Sequence, residues 1–150
     1  MANAKQIEIL QAFAKGWFGT SQQHSIHAEI IRQKGFAKLA DKMQEEADDE
    51  WKEAQRVNAR LLELGETPVV GAVEYPVFND VREILAFDLE EGYKGMAYLN
   101  EVVNAFSDDY ITRRMFEEFI VDEQEHTNWL AEHLGLIDQI GYQNYLMKQM

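Results

Sequence analysis

A glutamate and a histidine one helical turn apart are the residues of this chain best suited to metal chemistry. Glu123 and His126 stand in the stretch VDEQEHTNWL, on a helical stripe whose other members are the apolar residues Met115, Phe119, Leu130 and Leu134. Residues at i and i+3 share one face of a helix, so these two side chains can reach the same ion. Carboxylate and imidazole together suit iron, manganese or zinc. The pattern is short, and two polar residues on a solvated face would look the same.

The elements that must position this pair are predicted to be helices. Both prolines fall in the window GETPVVGAVEYPVF, and helix is permitted nearly everywhere else. Apolar residues recur every three or four positions on both sides of that window. This spacing predicts helices at about 4–34, 36–65, 79–106 and 109–135, and a short one at 138–147. Asn79 or Asp80 can cap the third helix, and Ser107, Asp108 and Asp109 can form the turn and cap before the fourth. The link between the second and third helices is long enough to run the length of a bundle, so we predict a single all-α domain, 1–150, that forms a four-helix bundle with one long crossover.

Polar residues interrupt the apolar stripe of each long helix. The first stripe carries His24, the second Glu50, the third Asp88, and the fourth Glu123 and His126. An ionised carboxylate in a core costs several kcal/mol unless it is paired or bound to a cation. A lone histidine on an apolar face is more often a hydrogen-bonded core residue, and a single glutamate can lie at a subunit surface. The coincidence on several helices favours a cation site.

Composition narrows the classes of partner. The formal net charge of −13 disfavours nucleic acid and anionic membranes and favours cations. The chain has no cysteine, which excludes disulfides, thiolate metal sites and cysteine nucleophiles. No long apolar run marks a signal peptide or a membrane span, so a soluble cytoplasmic protein is expected.

Four segments of the chain resemble bacterioferritins. The stretch DEQEHTNWLAEHLGLIDQIGYQNYL is similar to the end of those proteins, including the QNYL of their small fifth helix. GFAKLADKMQEEADDEWKEAQR, DLEEGYKGMAYLNE and DDYITRRMFEEFIVDE are also bacterioferritin-like. The resemblance implies the ferritin-like fold and a hollow, usually 24-subunit cage. It also implies that each subunit oxidises Fe(II) at an internal di-iron centre and that the mineral collects in the cavity.

The resemblance implies that part of the di-iron ligand set is retained. The family takes one glutamate from the first helix, Glu-x-x-His from the second, one glutamate from the third and Glu-x-x-His from the fourth. The fourth-helix pair is present as Glu123 and His126. The second-helix glutamate falls on Glu50, but Glu53 replaces its histidine.

Three other family positions are changed. The lone glutamates of the first and third helices fall on Trp17 and Gly92, so two terminal carboxylates are missing. The family's heme-ligating methionine falls on Trp51, and heme is therefore not expected, although another methionine such as Met43 is an alternative ligand. Oxidation of Fe(II) is expected to be weakened by these losses.

The sequence therefore predicts an iron-storage or iron-detoxification subunit with an altered metal site. Its expected metal ligands are Glu50, Glu53, Glu123 and His126. Of these, Glu50, Glu123 and His126 would take part in Fe(II) oxidation. His24 and Asp88 are candidate further ligands. The expected metal is iron, with zinc or manganese as alternatives. The expected assembly is a homo-oligomer, up to a 24-subunit cage, with a sister ferritin chain as a further partner. Two alternatives stay open, a structural or mixed-cage subunit without ferroxidase activity and a ferritin-like metalloprotein that uses another metal.

Overall fold

The computed structural model describes residues 2–150, and its regular structure is entirely helical. Four long helices and one short helix follow one another as α1 Ala4–Gln33, α2 Ala37–Glu63, α3 Val81–Ala105, α4 Tyr110–Ile140 and α5 Tyr142–Met147. The predicted all-α class, the long link after the second helix and the short C-terminal helix are confirmed. The described residues form two compact units, one of residues 2–28 with Asp41–Val77 and one of Glu29–Ala40 with Phe78–Met150.

The end of the fourth helix differs from the prediction. We expected α4 to stop at Gly135, but the helix continues to Ile140 and ends at Gly141, whose φ is 85°. A glycine inside a helix costs about 1 kcal/mol relative to alanine but leaves the hydrogen-bond ladder intact. The helix ends where the backbone takes a positive φ, which glycine adopts without strain. The short fifth helix consequently begins at Tyr142, later than the predicted residue 138.

In the first unit, the proline-containing link lies along one face of α1. Gln11 donates from its side-chain nitrogen to Thr67 O at 3.0 Å and accepts from Val69 N at 3.2 Å. Further along, Val73 N donates to the carbonyl oxygen of Lys15 at 3.0 Å. A link this long must satisfy its backbone groups outside regular structure, and α1 supplies the partners.

Two more residues of α1 continue this contact at four-residue spacing. Gln23 donates from its side-chain nitrogen to Pro76 O at 2.8 Å. A Cβ at Gly19 would overlap the carbonyl oxygen of Val73, so only glycine allows the link to approach here. The docked link therefore depends on the absence of a side chain at position 19.

In the second unit, α3 is capped by Asp80, one of its two predicted caps, and α4 is capped by Asp109, the last residue of the predicted turn and cap. The Asp80 carboxylate accepts from Glu83 N at 3.1 Å, and the Asp109 carboxylate accepts from Thr112 N at 3.1 Å. A side-chain oxygen at the N-cap satisfies a backbone N–H group that the helix itself cannot pair.

Helix α5 is held by side chains of the same unit. The Tyr142 hydroxyl donates to Asp80 at 2.8 Å and accepts from Arg82 N at 3.0 Å. The hydroxyl of the fully buried Tyr145 lies 2.6 Å from Nδ1 of His133. The C-terminal helix is thereby fixed to the start of α3 and to α4.

Candidate metal centre

Polar residues of the predicted site are buried in both units. In the first unit, His24 is 6% exposed and Glu50 is 9% exposed. In the second unit, Asp88 is 5% exposed and His126 is 8% exposed. Charged and polar side chains at such depth need partners, and those partners decide what each residue can do.

Both carboxylate oxygens of Glu50 are in contact with side chains of α1. Nδ1 of His24 lies 2.6 Å from Oε1, at the distance of an ion pair when the imidazole is protonated. The Thr20 hydroxyl donates to Oε2. We call this arrangement of Thr20 and His24 around Glu50 the Glu50 clamp. It supplies the polar contacts that a buried carboxylate requires, which a metal ion could otherwise supply.

The backbone of the same region keeps the clamp in position. Ser21, which lies between the two clamp residues in sequence, donates from its hydroxyl to Ala47 O at 2.6 Å. Ala47 precedes Glu50 by one helical turn, and this bond therefore ties α1 to the part of α2 that carries the carboxylate. Sequence spacing could not reveal the pairing, because the partners lie 26 to 30 residues apart.

Trp17 and Trp51 pack against aromatic neighbours of the first unit. The Trp17 ring lies 5.0 Å from the ring of Phe13, one turn earlier on α1. The Trp51 ring lies 4.6 Å from that of Phe18 and is 50% exposed. An indole N–H can only donate a hydrogen bond, and Trp51 accordingly offers no lone pair to an iron porphyrin at the position where the resemblance would place methionine.

In the second unit, Gly92 of α3 faces two residues of α4. A Cβ built at Gly92 would lie 2.6 Å from the methyl carbon of Thr127 and 3.3 Å from Oε1 of Glu123. The Thr127 hydroxyl donates to Gln124 O at 3.0 Å and lies 3.5 Å from Met96 Sδ, and these contacts fix the direction of its methyl group. The position where the resemblance expects a third-helix carboxylate is therefore closed by a methyl group.

An aromatic ladder extends from His126 towards the C-terminal helix. The ring of His126 stacks with that of Trp129 at 6.2 Å, and Trp129 stacks with His133 at 3.9 Å. His133 then meets Tyr145 edge to face, with 5.6 Å between the ring centroids. Sequence reasoning missed this ladder, although its α4 members recur at spacings of three and four.

The structure brings together some of the predicted ligands. It pairs Glu50 with His24 in the first unit and places Glu123 beside Gly92 in the second. Within residues 2–150, no three histidine, aspartate or glutamate side chains gather closely enough to hold a metal ion. The four-residue set of Glu50, Glu53, Glu123 and His126 stays a prediction, as do the additions His24 and Asp88.

Comparison with known proteins decides the family. The model of the ferritin-like domain matches residues 7–140. The chain belongs to the ferritin-like family. A bacterial ferritin of Synechocystis sp. is 33% identical over 145 residues, which cover 94% of this chain and 93% of that protein. A bacterial ferritin of Neisseria meningitidis serogroup B is 28% identical over 151 residues, covering 99% and 98%, and a bacterioferritin of Rhodobacter capsulatus is 27% identical over 148 residues, covering 97% and 92%.

Membership of the ferritin-like family confirms the predicted fold class. The order of four long helices, with a long link after the second and a short fifth helix, is the order predicted for a ferritin-like chain. Among residues 2–150, no helix has the length and apolarity needed to cross a membrane.

Proposed function

We propose that this chain is an iron-storage subunit of a cytoplasmic ferritin-type assembly, and that the metal site inside each subunit is altered. Iron is the substrate and the cargo. The observation that carries the proposal is the Glu-x-x-His pair of α4. His126 is buried, and an oxygen of Glu123 lies beside Gly92, which has no side chain of its own. Relatives named bacterial ferritin and bacterioferritin match almost the full length of the chain.

The retained side chains have the chemistry to bind a divalent ion. Those proposed to hold it are Glu50, Glu53, Glu123 and His126, with His24 and Asp88 as local additions. Their carboxylates would offset the charge of the ion, and the imidazole adds a nitrogen ligand, a combination that suits iron, zinc or manganese. Oxidation of Fe(II) is proposed to be slow, because Trp17 and Gly92 stand where the family pattern has two further carboxylates.

An oligomer is proposed as the working form. Large apolar side chains are exposed on the described surface, among them Ile26, Trp51, Val70, Tyr110 and Ile111. Ile26 and Trp51 line one open groove of the first unit, and apolar groups that adjoin one another on a surface are typical of a contact with another protein. The proposed assembly is a homo-oligomeric cage of up to 24 subunits, which a sister ferritin chain could join.

A second function, a shell subunit without ferroxidase activity, is favoured by two contacts. The Glu50 clamp already engages both oxygens of that carboxylate, and the Thr127 methyl closes the space at Gly92. A subunit of this kind would contribute to the shell and leave the oxidation of iron to another chain.

Iron loading of the purified assembly tests the proposal. The protein is given Fe(II) without oxygen and then exposed to air, while absorbance in the near ultraviolet and the solution mass are followed. We expect a large assembly that retains iron and oxidises it faster than buffer does. Glu123→Gln should slow the oxidation because it removes a retained ligand, whereas Glu125→Gln, an exposed neighbour on α4, should not.

The outcomes separate the candidate functions. A large assembly that oxidises iron no faster than buffer would identify the shell subunit. A stoichiometric content of zinc or manganese in the purified protein would identify a metalloprotein that uses another metal. A monomer that retains no iron would refute storage altogether.

A further inference from the structure

The Glu50 clamp raises the question of how a metal ion would reach that carboxylate. An ion that binds Glu50 needs at least one of its oxygens, but His24 is at 2.6 Å from Oε1 and Thr20 donates to Oε2. Both contacts come from α1, and both are internal to the first unit. Each carboxylate oxygen has two lone pairs, and the clamp occupies one site on each. A metal ion at Glu50 therefore shares the buried carboxylate with these side chains and competes with them, or takes His24 as a ligand.

We propose that Thr20 and His24 are positioning residues that compete with a metal ion for the Glu50 carboxylate and so lower the affinity of the site for that ion. This inference rests on the proposed function, because it takes Glu50 to be a metal ligand. The clamp and the ion compete for the same two oxygens. Each interaction of the clamp stabilises the metal-free protein and lowers the apparent affinity for the ion by the same factor.

Burial strengthens the competition. His24 and Glu50 are both more than nine-tenths buried, so water cannot readily replace a lost clamp contact. A buried carboxylate that loses its partner is destabilised, and a divalent ion can supply what is missing. Removal of a clamp contact should therefore tighten metal binding, which is the opposite of what the loss of a ligand would do.

The geometry of the imidazole provides a discriminating pair of substitutions. His24 faces Glu50 through Nδ1, and the amide nitrogen of an asparagine occupies nearly the same position relative to the backbone. His24→Asn keeps a hydrogen-bond donor near Oε1, whereas His24→Leu fills the space with an apolar side chain that has no donor. If the histidine acts as a clamp, affinity should rise from the unchanged protein to His24→Asn and rise further in His24→Leu.

The test is a titration with Co(II) alone, followed by calorimetry and by visible absorption of the assembled protein. We expect His24→Leu to bind Co(II) about tenfold more tightly or better, a factor that corresponds to about 1.4 kcal/mol. Thr20→Val, which keeps the shape of the side chain but removes its donor, should tighten binding in the same direction. Ser25→Ala is the matched control, because Ser25 lies next to His24 on α1 and its hydroxyl faces Gln44, not Glu50.

Thermal unfolding with and without Co(II) remains informative when a substitution makes the protein less stable, because each variant is compared with itself. His24→Leu should unfold at a lower temperature than the unchanged protein when metal is absent. It should gain more from added Co(II), since the stabilisation that a ligand gives rises with the logarithm of its affinity for the folded state. A variant that is destabilised but gains no more from Co(II) would show a purely structural role.

Three results would overturn the inference. Weaker binding in both His24→Leu and His24→Asn would make the histidine a ligand. Unchanged affinity in His24→Leu and Thr20→Val would mean that the clamp does not compete. An absence of Co(II) binding in every variant would mean that Glu50 is not available to metal even when released. Each of these leaves the storage function to be decided separately, by the solution mass and iron content of the unchanged protein.

Discussion

The contact between Gly92 and Thr127 can be tested by a double-mutant cycle. Gly92→Ala places a Cβ 2.6 Å from the Thr127 methyl carbon, which is closer than two carbon atoms can pack. Alanine gains about 1 kcal/mol over glycine inside a helix, but overpacking costs about 1–3 kcal/mol. We expect the single variant to be destabilised by up to about 2 kcal/mol.

Thr127→Ser removes the obstructing methyl group and keeps the hydroxyl that donates to Gln124 O. Alone, it should cost about 1 kcal/mol for the lost methyl group. In its presence, Gly92→Ala no longer meets the methyl carbon and should be stabilising by about 1 kcal/mol, the helix-propensity gain. The two substitutions should therefore couple by about 1–3 kcal/mol, as expected for residues in direct contact.

The assay is urea unfolding of all four proteins, followed by far-ultraviolet circular dichroism at one subunit concentration, because association contributes to apparent stability. Gly95→Ala is the matched control. It lies one turn along α3, where a Cβ would meet nothing within 4 Å, and it should be stabilising by about 1 kcal/mol with either residue at position 127. Additive effects of Gly92→Ala and Thr127→Ser, within about 0.5 kcal/mol, would refute the steric reasoning.

Three further predictions concern the link, the fifth helix and the missing carboxylates. Gly19→Ala should displace the link and speed hydrogen exchange at its amides. Gly16→Ala is the control, because its Cβ would meet only a tyrosine hydroxyl at 3.7 Å and should leave exchange unchanged. Equal exchange in both variants would contradict the contact between the link and α1. Tyr142→Phe should lower stability by about 1 kcal/mol. Because burial raises the pKa of the Tyr142 hydroxyl above its ordinary value of 10.0, the tyrosine's contribution to stability should be fully present below pH 10.0 and be lost as pH rises through the raised pKa, so alkaline unfolding curves should be less steep for the phenylalanine variant, in which the buried Tyr145 still titrates. Trp17→Glu combined with Gly92→Glu should increase the rate of Fe(II) oxidation by the assembly in air. A rate that stays unchanged even when Thr127→Ser and His24→Leu are added would mean that these are not the family's ligand positions.

Regular local signals made the helices predictable. Only two prolines occur, both in the link, and the apolar period of three to four continues on either side of them. The caps of α3 and α4 were predictable to within two or three neighbouring residues, because the short polar side chains there can all satisfy the first free N–H groups of a helix; the structure places Asp80 and Asp109 in that role. The end of α4 was not, because Gly135 and Gly141 look alike in sequence and only the second takes a positive φ.

The partners of the candidate ligands could not be predicted in the same way. Glu50 stands out because it interrupts an apolar stripe, but nothing local indicates that Thr20 and His24, 30 and 26 residues away, take its two oxygens. Periodicity identifies the face of a helix on which a residue lies. It does not identify the side chain across from that face, because that depends on the register between two helices.

The contacts at the changed positions suggest why a single substitution would not restore a ferritin di-iron centre. A carboxylate introduced at position 92 would meet the Thr127 methyl group, whose direction is fixed by the bond to Gln124. A carboxylate introduced at position 17 would leave Glu50 engaged by its clamp. Each of these two positions therefore has a neighbouring group that would also have to change, so substitutions at 17 and 92 should gain most when Thr127→Ser and His24→Leu are present. If the two glutamates alone gave fast Fe(II) oxidation, the Thr127 methyl group and the clamp residues would have to move aside at much lower cost than their distances and burial imply.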